Sequence, residues 1–285
     1  MTDLSLPSIE PDTQDGWRAR IALAYSPRRE RTRLIHCQRI GPLSVQRAFY
    51  PEGPVCHSYL LHPPGGVVGG DRLEVAVHVQ PEAHTLITTP GATKFYRSGG
   101  RLAQYRQHFQ VAEQAALEWL PQENIFFPDS RLAMQTHIEL HSESRFIGWE
   151  MQCLGRPVIN ERFDRGQIRS SLKLSIDAKP LLIEHFNAEA DQLQQASAGL
   201  RGYPMQATLL IHPADDALLE QVRTVLTQSA DTTILAGATR LDSLIVVRLL
   251  GHQTEPLLKQ MIAIWQAVRP SVMGRPACLP RIWAT

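Results

Sequence analysis

Leu73-Glu74-Val75-Ala76-Val77-His78-Val79 is the clearest alternation in the chain, with branched apolar residues at every second position. Successive side chains of a strand point to opposite faces, so Leu73, Val75, Val77 and Val79 belong to a core. Glu74 and His78 then face the other side. Outward from this run, segments of strand length and β-branched or alternating content follow one another at 17–24, 32–39, 84–88, 101–111, 115–120, 132–140, 145–153, 167–176, 181–186 and 203–211. Their spacing of roughly 8 to 15 residues, with Gly, Pro and Asp between, predicts an antiparallel arrangement.

The period changes late in the chain. Residues 214–230 place Leu218, Leu219, Val222, Val225 and Leu226 on one helical face, with Asp215 and Asp216 at the positive end of the dipole. Residues 255–268 repeat the pattern with Leu257, Leu258, Met261, Ile262, Ile264 and Trp265, and Pro270 is expected to close that helix. Between them, 232–239 and 243–250 read as a strand pair. The fold class expected is mainly β (α+β): a large antiparallel β-rich body of many short strands with two C-terminal helices. Residues 1–16, rich in Pro, Asp, Ser and Thr, read as a disordered extension, and 17–285 as a single β-rich domain without an internal repeat.

Bulk properties exclude several functions. Of 285 residues 43% are hydrophobic, enough for a sizeable core, and the net charge of +1 argues against general nucleic-acid or anionic-membrane binding. The cations are almost all Arg; Lys94, Lys173, Lys179 and Lys259 are the only lysines. Arg pairs with carboxylates bidentately and is enriched at interfaces, which hints at a partner surface. Cys37, Cys56, Cys153 and Cys278 form no C-x-x-C pair. A polar, acidic N-terminus without an apolar h-region, and no apolar run of spanning length, make a cytoplasmic protein with reduced thiols the expectation.

Just before the alternating strand stands Leu60-Leu61-His62-Pro63-Pro64-Gly65-Gly66-Val67-Val68-Gly69-Gly70-Asp71-Arg72-Leu73. Two prolines and four glycines in eight residues demand special backbone geometry or close approach. A phosphate loop would place Lys and then Ser or Thr after the last glycine; Asp71 stands there instead, and a carboxylate repels phosphate. The dinucleotide fingerprint G-x-G-x-x-G is absent, as are G-x-S-x-G, H-E-x-x-H and the kinase set.

Cys56, His57, His62 and Asp71 lie close in sequence, and thiolate, imidazole and carboxylate are ligand types that nickel accepts. His137 and His141, and His78 and His84, are further pairs, each histidine read singly as a hydrogen-bonded or surface residue. Asp71 either caps the glycine turn or pairs with an Arg, or else lines a polar path for a divalent cation. Glu184 interrupts the apolar run Leu181-Leu182-Ile183-Glu184-His185-Phe186 and either faces solvent or stands in a channel. Glu118 in Leu117-Glu118-Trp119 poses the same question, and a solvent-facing role is the simpler one. Thr93-Lys94-Phe95-Tyr96-Arg97 mixes aromatics and cations as a nucleic-acid platform would, but the near-neutral charge argues for core aromatics and interface cations.

The Pro-Gly loop resembles the signature of the urease accessory protein family UreD, also called UreH. The likeness continues in Gly41-Pro42-Leu43-Ser44-Val45-Gln46-Arg47, in 89–98, in 117–127, in Cys153-Leu154-Gly155-Arg156-Pro157 and in 279–285. It implies a maturation factor that is not an enzyme. It also implies partners: the urease apoprotein, the helical protein UreF, and through UreF the GTPase UreG, with no nucleic acid and no membrane. No cofactor is expected to be tightly bound; Ni²⁺ is expected in transit, through an internal tunnel of carboxylates and carbonyls that bind weakly enough to release it. Asp71 and Glu184, with His62 and Cys56 behind them, are the candidate metal residues. The Arg-rich segments and the two late helices are the candidate UreF-facing surface. Rival readings are a chaperone that holds nickel tightly and a β-rich enzyme of unknown substrate.

Overall fold

A computed structural model describes residues 16–228 and 233–284. The extension expected over 1–16 therefore lies, Gly16 apart, outside the described residues, as do the last two residues of the helix expected at 214–230 and the first of the strand expected at 232–239. In chain order the strands are β1 (Arg18–Arg28), β2 (Arg31–Ile40), β3 (Ser44–Val45), β4 (Cys56–Leu61), β5 (Arg72–Val79), β6 (His84–Thr88), β7 (Thr93–Phe95), β8 (Ala103–Val111), β9 (Ala116–Leu120), β10 (Asn124–Phe126), β11 (Arg131–Leu140), β12 (Arg145–Leu154), β13 (Gln167–Ile176), β14 (Lys179–Glu189), β15 (Met205–His212), β16 (Leu235–Leu241) and β17 (Leu244–Gly251). The helices are α1 (Gln192–Gln195), α2 (Asp216–Gln228) and α3 (Thr254–Met273).

The mainly β class with two late helices holds; the sheets, expected to be antiparallel, are mixed. One sheet runs β14-β13-β11-β8-β5-β1-β2 and the other β16-β17-β15-β12-β9-β6-β4-β3, with β7 and β10 attached beside β12. The ladders β1–β5, β5–β8, β8–β11 and β11–β13 are parallel, and so are β4–β6, β6–β9 and β9–β12. Antiparallel pairs form the margins of the first sheet, β1–β2 and β13–β14, and the half of the second sheet built by β12, β15, β17 and β16. The cause is the winding. From β4 to β12 the chain alternates between the sheets, so each return to a sheet follows a full turn and runs in the same direction. Parallel neighbours need a long crossover, usually a helix; here a strand of the opposite sheet is that crossover. Short strands set off by turn residues look alike in both arrangements.

The inward faces make the first core. Leu73, Val75, Val77 and Val79 are buried there with Ile21, Leu23 and Phe109 of their own sheet and Leu117, Trp119 and Phe146 of the other. Each fully buried aliphatic or aromatic side chain contributes about 1.5–3 kcal/mol. The second sheet is apolar on its far face too, because α2 and α3 cover it. Ile147, Trp149, Met151, Leu209, Ile211 and Val247 pack there against Leu257, Met261, Ile264, Trp265 and Val268. Helix α2 starts where the two aspartates place it: the Asp215 carboxylate accepts the Leu218 N–H at 2.8 Å. Pro270 does not close α3. The helix runs one turn further to Met273 and ends at Gly274, whose φ of +67° suits glycine. The short α1 had no periodicity to announce it.

Candidate cation-passage site

The sequence motifs converge at one end of the sheets. Val67 donates its N–H to the Lys94 carbonyl at 2.7 Å, and Tyr96 donates to Val67 at 2.8 Å, so the Pro-Gly loop is strapped to β7. A Cβ on Gly69 would lie 2.3 Å from the Ser98 carbonyl oxygen; only glycine allows this approach. Strand β7 pairs with β10, and β10 with the end of β12. Gly155, which follows β12, donates to Phe126 at 2.8 Å. Residues 60–73, 89–98, 117–127 and 153–157 thus form one continuous structure.

The four candidate metal residues do not gather. Asp71 is buried and its carboxylate accepts the Trp17 and Val68 N–H groups, both at 2.9 Å, which makes it the cap of the loop. His62 lines a cavity of about 210 Å³ beside that loop, with Gly65, Gly66, Lys94 and Tyr105. Burial pulls the His62 pKa down, partly offset by the Asp71 charge, so its imidazole is neutral near pH 7. Cys56 is buried in the first core, where burial pushes its thiol pKa up, away from the thiolate that binds metal. Its neighbour His57 bonds Glu52 at 2.7 Å. Among the described residues no three His, Cys, Asp or Glu side chains are grouped to hold a metal ion.

Glu184 lies elsewhere. It projects from β14 into a cavity of about 320 Å³ between the sheets, walled by Ser170 and Leu172 on one side and Gln152, Gln206 and Thr208 on the other. There it is ion-paired to Arg248, which also donates to the Thr208 hydroxyl at 3.0 Å. Glu184 is thus neither free in solvent nor bare in a channel.

The same cavity holds a carboxylate that sequence reasoning missed. Glu150 of β12 lines it and has no ion-pair partner among the described residues; Asn124 Nδ2 approaches at 3.4 Å. Burial pushes its carboxyl up to about 7. Tyr105, on the wall of the loop-side cavity, has its pKa raised by burial and then by the Glu150 charge. The signal in Trp149-Glu150-Met151 was a charge within an otherwise apolar strand, the same signal that drew attention to Glu184.

Glu118 is fully buried and paired, a correction to the solvent-facing expectation. It accepts from His84 Nε2 at 2.8 Å, Trp265 Nε1 at 2.7 Å, and Arg269 Nε and Nη2 at 2.9 Å each. Arg269 also clasps Glu52, which meets His57. Burial would raise the Glu118 pKa, but the hydrogen bonds and charges of His84 and Arg269 outweigh it and hold the group at about 2. This chain of charges fastens α3 to the second sheet, and Trp265 is part of the fastening.

Polar groups here line the spaces between two sheets that the chain builds by winding from one to the other: the class is a two-sheet β coil with polar clefts. The profile of the UreD urease accessory protein family matches residues 18–284. The chain is 51% identical over 273 residues to the urease accessory protein UreD of Escherichia coli, covering 95% of this chain and 98% of that one. It is 47% identical over 289 residues to UreD of Aliivibrio fischeri (98% and 100% covered), and 46% over 277 residues to UreD of Vibrio parahaemolyticus (96% and 98%). The chain belongs to the UreD urease accessory protein family. No described helix is long and apolar enough to cross a membrane.

Proposed function

We propose that this protein is a urease maturation factor without catalytic activity of its own, and that it hands Ni²⁺ to the urease apoprotein through the space between its two sheets. UreF, and through it the GTPase UreG, is the source of the ion in this reading. The observation that carries it is Glu150: a carboxylate lining a cleft between the two sheets, with no ion-pair partner among the described residues. A half-buried charge without a counter-ion carries a desolvation cost, and a passing divalent cation relieves that cost. The Glu184–Arg248 pair supplies a second carboxylate whose charge is already balanced, so it attracts the ion weakly. Dispersed single carboxylates suit release; a chaperone that held nickel tightly would need a clustered ligand set.

The test is urease activity and urease nickel content in cells carrying the urease operon with this gene deleted, then restored. Loss of both on deletion and recovery on restoration is the expected result. Normal nickel loading without this chain, with no parallel copy present, overturns the maturation role. Glu150→Ala then tests the route. Activation at least tenfold lower, with the complexes still formed, supports it; wild-type activation refutes it and leaves a scaffold role standing.

A further inference from the structure

The first sheet ends in an edge that is not protected as the others are. Strand β14, at the opposite margin, carries Lys179 and Pro180. In the second sheet β3 is two residues long, and β16 packs against α2. Strand β2 has ten residues and no proline, and it is exposed along 35–40, with Ile35 40% and Ile40 45% accessible. Past the irregularity opposite Ala24 and Tyr25, His36–Ile40 run in regular register with β1 on one side. The other edge offers its backbone N–H and C=O groups to a further strand, the usual hazard of such an edge. Only the start of β2 is covered, where Thr32 donates to the Pro54 carbonyl at 2.8 Å.

Charge says what that strand would be. Residues 16–51 hold eight arginines and one carboxylate, Glu30. Arg28, Arg29, Arg31, Arg33, Arg39 and Arg47 have no ion-pair partner among the described residues; Arg31 and Arg33 lie over the Tyr50 ring, at 4.5 and 5.6 Å from its centroid. A second copy of β2 is a poor occupant, because pairing would set arginine rows against each other. Nucleic acid or an anionic membrane would answer the charge but not the backbone edge or the two exposed isoleucines.

We propose that the outer edge of β2 docks an extended, acidic segment of a protein partner by strand addition, with main-chain hydrogen bonds for affinity and the arginines for selection. This rests on the maturation reading above, since it places one of that assembly's contacts. The experiment is affinity capture of the tagged chain co-produced with the urease subunits and the other accessory proteins, combined with hydrogen exchange on the purified complex. Backbone amides of 35–40 slowed in the complex are expected, with at least tenfold weaker capture for Arg33→Glu/Arg39→Glu and for wild type when salt rises from about 50 to about 500 mM. Equal capture by the double variant, or unchanged exchange at 35–40 in a complex that does form, overturns the proposal and leaves the maturation role intact. Duplex DNA or anionic vesicles bound through the same arginines, without that protection, also overturn it. A wild-type chain that captures no partner overturns both readings.

Discussion

Two glutamates meet opposite environments. Glu150 faces a cavity with its pKa pushed up to about 7 by burial. A carboxyl whose folded pKa exceeds its unfolded value binds its proton more tightly when folded, so its contribution is fully present below about pH 4.5 and is lost as pH rises through 7. Glu150→Gln is therefore expected to be the more stable protein at pH 8, by about 1–3 kcal/mol in denaturant titrations, with no gain at pH 4. The same variant should activate urease poorly. A variant neither stabilised at pH 8 nor impaired would remove Glu150 from the site. Glu118 has the reverse sign. Held at about 2, it stabilises the fold above about pH 4.5 and loses that contribution as pH falls through 2. Glu118→Gln should flatten the acid limb of a stability profile; an unchanged limb would show that other groups govern acid unfolding.

At the scale of the element, β5 was legible because every second residue had to be apolar, and α2 because Asp215 caps a five-residue apolar face. Strand direction was not, since it depends on which sheet each strand joins, and alternation reports only that one face is buried. The end of α3 was misread for a related reason. Pro270 removes one helical hydrogen bond, but the Arg269 clasp on Glu118 and Glu52 and the burial of Val272 and Met273 act beyond it. Long-range contacts of this kind leave no local trace. Arg269→Met should cost about 3–5 kcal/mol, because it takes the guanidinium away from the buried Glu118 and the half-buried Glu52 and leaves them only their histidine and tryptophan partners. Its far-UV spectrum should stay strand-rich while the fluorescence of Trp265 and of Trp283, whose ring centroid lies 6.0 Å from that of Trp265, shifts red as α3 loosens. A stability loss under about 1 kcal/mol would mean that apolar packing alone holds the helix. The loop at 60–73 was recognised by its glycines, yet the role of Asp71 as acceptor for Trp17 and Val68 needed coordinates.

Across the molecule, the winding explains why there is open space between the two sheets. A coil of short strands that alternates between two sheets sets their inward faces against each other with a slot between them. Where inward positions are large and apolar, as at Phe109, Trp119 and Phe146, the slot is filled. Where β12 and β15 face β13 and β14 the lining is mostly polar, with Glu150, Gln152, Gln206, Thr208, Ser170 and Glu184 beside Leu172 and Phe186, and about 320 Å³ stays open. Polar side chains there make poor packing, so the fold gives up core at one place, which stability alone would not favour. Filling that place separates a conduit from a scaffold. Ser170→Phe adds an aromatic ring inside the cavity, on a strand whose partners β11 and β14 are unchanged. The expected outcome is a melting temperature within a few degrees of wild type, undiminished recovery of partners, and urease that carries much less nickel. Full nickel loading by this variant would mean that the ion travels over the outside of the protein and that the polar slot serves something else.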